Sequence, residues 1–355
     1  MPEPEQRDTR RRVPKNKVVA PAVPGDFVPR PRLLSVLDEA RDVLVTMVCA
    51  PAGSGKTLLL ADWAPRHASI AWVSLDSDDN DDGRFWSALL AALAECPGVP
   101  PDSPLRTQVV PARPSRDLGF LAAVVNALDE LPEPVWLVLD DVHELTDPDP
   151  LYGLETLLRH RPAGLRLVLA ARHNPPLPLA RLSLADQLTE IRAADLRFAT
   201  GEARALLESA GVVLLPEQLR NLVEQTEGWA AGLRLAAVSL AEAEDPGRFL
   251  AEFAENDRAV ADYLIDEVLS QLPEEPREFL YTISVCDEVS AELARAVSGS
   301  PDAGTLLDTL ERKTSLLVRT GTRERWYRMH ALVRSSLLAD LTRRTPARAR
   351  GDRGG

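Results

Sequence analysis

VLVTMVCAPAGSGKTLLLADWA, residues 43–64, decides the fold. Val43–Ala50 is a short, nearly continuous apolar run, the pattern of a strand buried on both faces in a parallel sheet. It breaks at Pro51-Ala52-Gly53-Ser54-Gly55 and resumes as a helical pattern from Lys56. The order is strand, turn, helix. It matches the phosphate-binding pattern GxxxxGK[ST], except that Ala50 stands at the first glycine. The physical demands are still met. Gly53 and Gly55 let the backbone curl so that its N–H groups face an anion. The helix that follows turns its positive dipole end to the same point. Lys56 carries a compact ammonium on a long stem, suited to β- and γ-phosphates, and Thr57 offers a hydroxyl to Mg²⁺. The stretch Ala50, Pro51, Ala52, Gly53, Ser54, Gly55, Lys56, Thr57 and Leu58 is therefore the candidate nucleotide-binding segment. The competing reading is a glycine-rich turn followed by a chance Lys-Thr. Composition argues against it: of 41 basic residues only Lys15, Lys17, Lys56 and Lys313 are lysines, and one of these four falls on the motif.

Working outward, apolar runs recur at residues 70–75, 135–139 and 167–171, with a weaker one at 188–192. Helical patterns at 84–95, 118–130 and 151–160 alternate with them. This alternation predicts an α/β domain with a parallel sheet. Beyond about residue 195 the strands stop, and residues 200–211, 216–226 and 229–243 read as helices. Further helices are expected at 258–271, 274–284, 290–297 and 303–312. A hairpin follows, 315–320 and 325–328, and then a last helix from about His330. Helices followed by a two-stranded wing predict a winged-helix module.

The run 135–139 ends in Asp140-Asp141, the arrangement of a Walker B strand. Asp140 is the candidate Mg²⁺ ligand with Thr57, and Asp141 the candidate group that polarises an attacking water. The pairing departs from ATPases that use Asp-Glu; a carboxylate one methylene shorter places water less well, which suits slow turnover. Arg172 follows the run 167–171, where a cation would sense a γ-phosphate if that strand lies beside the P-loop strand. The acidic stretch at 76–83 fits the first six positions of a calcium loop counted from Asp78, but Leu89 stands where a bidentate Glu is needed. It reads instead as an acidic strand-to-helix loop. The other histidines, His67, His143, His160 and His173, form no ligand-spaced pair. No nucleophile constellation stands out.

Net charge is −13, unevenly spread. Residues 1–25 carry +3, residues 341–355 carry +4, and the intervening body −20. Such a body repels a phosphate backbone, and the basic ends read as disordered tails. Cys49, Cys96 and Cys286 show no CxxC spacing, so neither a zinc site nor a disulfide framework is expected. No apolar run is long enough for a transmembrane helix, and the charged N-terminus lacks the apolar core of a secretory signal. A cytoplasmic location with no membrane partner is expected.

Taken together, the ordered motifs resemble a known family. They are FVPRPRL from Phe27, the APAGSGKT loop, AWVSLD followed by DNDDGRFW, LVLDDVH, AARHNPPLPLARL, EGWAAGLRLA and the closing WYRMHAL. The chain resembles, over residues 26–342, the N-terminal part of the large LuxR-family regulators of the MalT type, members of the STAND class of P-loop switch ATPases. The resemblance implies an ASCE-type parallel sheet, an α-helical lid, and a winged helix folded over bound ADP. It implies that Arg172 is the sensor arginine and that His330 meets the ADP β-phosphate. It also implies, more weakly, that Arg30 and Arg32 lie on the adenine side.

The resulting domain expectation is a basic tail to 25, a P-loop domain at 26–195, a helical lid at 196–255, a winged helix at 256–342 and a second tail at 343–355. The expected activity is a slow ATP/ADP switch using Mg²⁺, with catalytic Lys56, Asp140, Asp141 and Arg172. Self-association in the ATP state and an inducer are the implied partners. DNA would be met only through a helix-turn-helix domain absent from this chain. Residues 256–340 hold more acidic than basic groups, which fits a nucleotide-sensing lid better than a major-groove reader. Two alternatives stay open: a stand-alone ATPase or kinase acting on an unknown acceptor, and a binding-only nucleotide module.

Overall fold

The computed structural model describes residues 13–243, 247, 249–250, 269, 272–314, 316–320, 325–329, 333–334, 337–338 and 340–341. The chain divides into two compact units. The first comprises the segment up to Val23, Arg30–Cys49 and Lys56–Arg192; the second comprises Pro24–Pro29, Ala50–Gly55 and Ala193 onward.

The first unit is an α/β layer structure. Its sheet holds five parallel strands: β1 (Val45–Cys49), β2 (Ile70–Ser74), β3 (Val135–Asp140), β4 (Leu165–Ala171) and β5 (Leu188–Arg192). Their spatial order is β2-β3-β4-β1-β5, so β4 lies between the P-loop strand and the Asp140 strand. That insertion is the ASCE arrangement. Every residue of β1 and β3 is buried, which explains why both read as unbroken apolar runs. The helices are α1 (Pro31–Glu39), α2 (Lys56–Trp63), α3 (Asp82–Glu95), α4 (Leu118–Asp129), α5 (Pro148–His160) and the short α6 (Leu179–Ser183). Trp86, Phe120, Leu89, Leu93 and Leu157 from these helices enter the sheet's core.

Two features of this unit were not expected. Residues 13–23 of the basic N-terminal segment are not a free tail. Val13 and Val18 pack on the core, and the Lys17 ammonium lies 2.6 Å from both Asp76 and Asp79. The acidic loop owes its composition to capping. Asp76 Oδ1 accepts from Asp78 N at 3.0 Å, Asp79 Oδ2 accepts from Asp76 N at 2.8 Å, and Asp81 accepts from Arg84 N at the start of α3. A lysine supplies the counter-charge there. No cluster of three or more His, Cys, Asp or Glu that could hold a metal occurs among the described residues.

The second unit contains α7 (Ala193–Leu196), α8 (Thr200–Ser209), α9 (Pro216–Thr226) and α10 (Ala230–Glu242). The helices Glu274–Ile283, Ala291–Ser298 and Ala303–Thr314 follow. A small antiparallel sheet orders β6 (Glu288–Ser290), β8 (Trp326–Met329) and β7 (Leu317–Thr320). The wing thus has three strands where the sequence showed two. β6 has only three residues, too few to display an alternation. One apolar cluster joins Leu207, Leu222 and Leu233 of the helical part with Leu280, Leu307 and Tyr327 of the winged part. The expected helix at 258–271 and His330 lie outside the described residues, apart from Leu269, which is buried. No helix among the described residues is long and apolar enough to cross a membrane.

Candidate functional site

The site begins where β1 ends. Gly53 and Gly55 have φ of 70° and 82°, conformations that L residues rarely adopt, so both glycines of the loop are conformationally required. Within the second unit the loop is held from one side. Trp229 donates its indole N–H to Ala52 O at 3.1 Å, and Ala231 N donates to Gly53 O at 3.0 Å. Both donors belong to the start of α10, in the segment EGWAAG.

Lys56 and Thr57 open α2 directly after the loop. Lys56 is 6% exposed. Burial lowers its pKa, while the carboxylates of Asp141 and Asp140 oppose that shift and Arg172 reinforces it. Asp140, the last residue of β3, is 2% exposed. Its carboxyl is pushed up to about 6, first by burial and then by Asp141; a hydrogen bond from Thr57 and the charge of Lys56 act in the opposite sense. Asp140 Oδ1 is buried with no hydrogen-bond partner. A buried carboxylate oxygen without a donor, beside a threonine hydroxyl, is the donor set a hard divalent cation takes, so these residues fit Mg²⁺.

Arg172 follows β4, and its neighbour Ala171 is in register with Cys49 at the end of β1. The adjacency that the sensor reading needs is therefore present. Arg30 is 2% exposed and immediately precedes α1; Arg32 lies in the first turn of that helix.

Two further groups, one in each unit, carried no signal in the sequence. His143 lies two residues beyond Asp141, in the same turn, with its side chain 8% exposed. Its pKa is lowered to about 3 by burial and by the positive neighbours Arg172, His173 and Lys56. Glu227 caps α9 in the left-handed region, with φ of 48°. Arg328 on β8 donates to both its oxygens, at 2.7 and 3.2 Å, and Arg197 donates to Oε2 at 3.0 Å. These three side chains edge a cleft of about 480 Å³ lined also by Phe198, Val223 and Gly228. Gly228 is required there: a Cβ would meet Phe198 O at 2.8 Å. Glu227 was not legible because its partners Arg328 and Arg197 are distant in sequence; the burial of His143 leaves no mark in the sequence.

The comparisons with known proteins agree with this geometry. Residues 265–349 match the MalT winged helix domain. The chain is 33% identical over 331 residues to the serine/threonine-protein kinase PknK of Mycobacterium tuberculosis, covering 91% of this chain and 30% of the kinase. It is 32% identical over 324 residues to the HTH-type transcriptional regulator MalT of Serratia proteamaculans, covering 89% of this chain and 35% of the regulator. The chain thus spans about a third of the length of these curated relatives. Among solved structures, a Walker-type ATPase of Pyrococcus abyssi superposes with a TM-score of 0.60 at 15% identity, covering 89% of this chain and 97% of that one. This last likeness shows the fold alone.

Proposed function

Starting from a P-loop ATPase region of the MalT type, we propose that the chain is an ATP/ADP-dependent switch whose slow hydrolysis resets it. The observation that carries the proposal is the charge cluster of Lys56, Thr57, Asp140, Asp141 and Arg172 at the carboxyl ends of adjacent parallel strands. Three cations or hydroxyls and two carboxylates converge where a triphosphate and its metal would need them.

In this reading Lys56 binds the β- and γ-phosphates and Arg172 meets the γ-phosphate. Thr57 and Asp140 hold Mg²⁺, which neutralises charge on the phosphate oxygens. Asp141 accepts a proton from water as the water oxygen bonds to the γ-phosphorus. The β–γ bridging oxygen leaves with ADP, and the proton passes on to solvent. The products are ADP and inorganic phosphate. ADP holds a closed state, and ATP permits self-association. His330 as a β-phosphate contact and Arg30 on the adenine side remain part of the proposal.

The same region occurs in proteins named as a kinase and as transcriptional regulators, which supports a switch whose output is delivered by other parts of a longer protein. Contact with DNA, and the response to an inducer, belong to such parts. The test is Asp141→Asn. If the reading holds, this variant keeps ATP unhydrolysed and shifts to a larger species in light scattering with ATP but not with ADP. A variant that hydrolyses ATP like the parent chain contradicts it.

A further inference from the structure

Among the described residues, four that are not glycine adopt the left-handed region: Asp141, Arg161, Asp186 and Glu227. Arg161 and Asp186 are exposed turn residues, and Asp141 belongs to the site described above. Glu227 is different. It caps α9 with φ of 48° and ψ of 29°, where glycine or asparagine sits at lower cost. Gly228 follows with φ of 67°, so two successive left-handed residues reverse the chain between α9 and α10. A residue that breaks the local rule in this way is held there by what its side chain does.

The Glu227 carboxylate is 9% exposed and serves two arginines. Arg328 of β8 donates to both oxygens, and Arg197, just ahead of α8, donates to Oε2. The backbone of the turn is equally fixed. Gly228 N donates to Val223 O at 3.0 Å, Phe198 N donates to Gly228 O at 2.8 Å, and Trp229 N donates to Thr226 O at 2.9 Å. Two residues beyond Glu227, the Trp229 indole reaches Ala52 O, and Ala231 N reaches Gly53 O. An unbroken series of contacts thus runs from the wing to the phosphate loop, through Arg328, Glu227, the turn and Trp229. All of its members lie in the second unit. The bonds at its far end, 3.1 and 3.0 Å long, weaken steeply if the start of α10 shifts.

We propose that Glu227 is a positioning residue for the phosphate loop, and that Arg328 makes its hold conditional on the wing. With the ion pair closed, the turn keeps Trp229 and Ala231 on the loop carbonyls, and the loop's N–H groups stay directed at the phosphates. With the pair open, the turn relaxes, the loop loosens and a bound nucleoside diphosphate escapes faster. The device acts on nucleotide exchange and leaves the hydrolytic groups untouched. It rests on the switch reading above and adds to it the residues through which the wing sets the exchange rate.

The experiment compares the full chain with Glu227→Gly, Arg328→Gln, Trp229→Phe, and each of the first two combined with Trp229→Phe. Release of a fluorescent ADP analogue is followed by stopped flow after a chase of unlabelled ADP, and ATP hydrolysis is followed in a single turnover. Glu227→Gly removes the carboxylate while relieving the left-handed backbone, and Arg328→Gln leaves the backbone alone, so two independent variants open the same pair. Each single variant is expected to release the analogue about three- to tenfold faster, the effect of weakening one or two hydrogen bonds, with the single-turnover rate within about twofold. The double variants are expected to release it no more than about twofold faster than Trp229→Phe alone, because all three side chains act through the same bonds to the loop. Unchanged release in Glu227→Gly and Arg328→Gln overturns the inference. So do double variants in which the single effects multiply, or a single-turnover rate that falls in step with retention of the analogue. If the parent chain has no saturable site for ADP, the switch reading fails and this inference falls with it; normal ADP binding with unchanged release removes the inference alone.

Discussion

Trp229 reaches across 177 residues of sequence to donate its indole N–H to the carbonyl of Ala52, so the helical part of the second unit holds the phosphate loop by its backbone. Ala231 N repeats the contact at Gly53 O. The two bonds make the loop's curl a property of α10 as much as of its own glycines.

Trp229→Phe keeps an aromatic ring and removes the donor. One hydrogen bond of this kind contributes about 1 kcal/mol, so ADP affinity is expected to fall about five- to tenfold. Calorimetric titration checks this. Unchanged affinity would mean that the loop holds its shape without α10.

The pair Arg328–Glu227 joins the wing to the end of α9. The Glu227 side chain is only 9% exposed, whereas that of Arg328 is 36% exposed, so solvent screens part of the interaction. Arg328→Gln is expected to destabilise the second unit by about 1–2 kcal/mol in urea denaturation. The double variant with Glu227→Gln should lose less than the two single effects added together. Strict additivity would show that the pair is not coupled.

Asp140 sets a pH dependence. An unfolded Asp titrates near 3.9 and the folded one at about 6, so the metal-free fold holds a proton that the unfolded chain has lost between those values. The stability from this group is fully present below about pH 4 and is lost as pH rises through about 6, amounting to about 3 kcal/mol at most. Asp140→Asn should therefore raise the metal-free melting temperature at pH 7.5 and flatten this part of the pH profile. The same variant should no longer gain nucleotide affinity from Mg²⁺. A lower melting temperature at pH 7.5 would contradict the cost assigned to the buried carboxyl.

Lys17 holds the acidic loop. Burial acts to lower its pKa, but hydrogen bonds and charge from Asp76 and Asp79 raise it overall, so it stays charged throughout the accessible range. Lys17→Met leaves the Asp79 side chain, 2% exposed, without its cation. A loss of about 3 kcal/mol is expected in chemical denaturation, largely recovered in Lys17→Met/Asp79→Asn. No loss in the single variant would mean that residues 13–23 are incidental to the first unit.

The parallel sheet was legible because its strands are buried on both faces and therefore read as apolar runs. β5 was found at its observed limits, and α9 likewise. Lys56, Asp140 and Arg172 were legible because strand ends and a glycine loop place them by local rules. What escaped was long-range or conformational. Asp141 gives no sign in sequence that its backbone is left-handed. Glu227 reads as an ordinary helix-end acid until Arg328, 101 residues away, is seen on it. Lys17 and Val13 read as a tail because a solvated strap and a packed one have the same composition. His143 gives no sign in sequence that its side chain is buried close to His173 and Arg172, which follow another strand.

The central claim is that Lys56 and the loop before it bind a nucleoside diphosphate or triphosphate. Isothermal titration of ADP and ATP, with Mg²⁺, into the parent chain and into Lys56→Ala tests it most directly. The account predicts one saturable site in the parent chain and a loss of at least about 100-fold in the variant, the effect of removing the charge that faces the phosphates. Equal affinity of the two proteins for both nucleotides would contradict it.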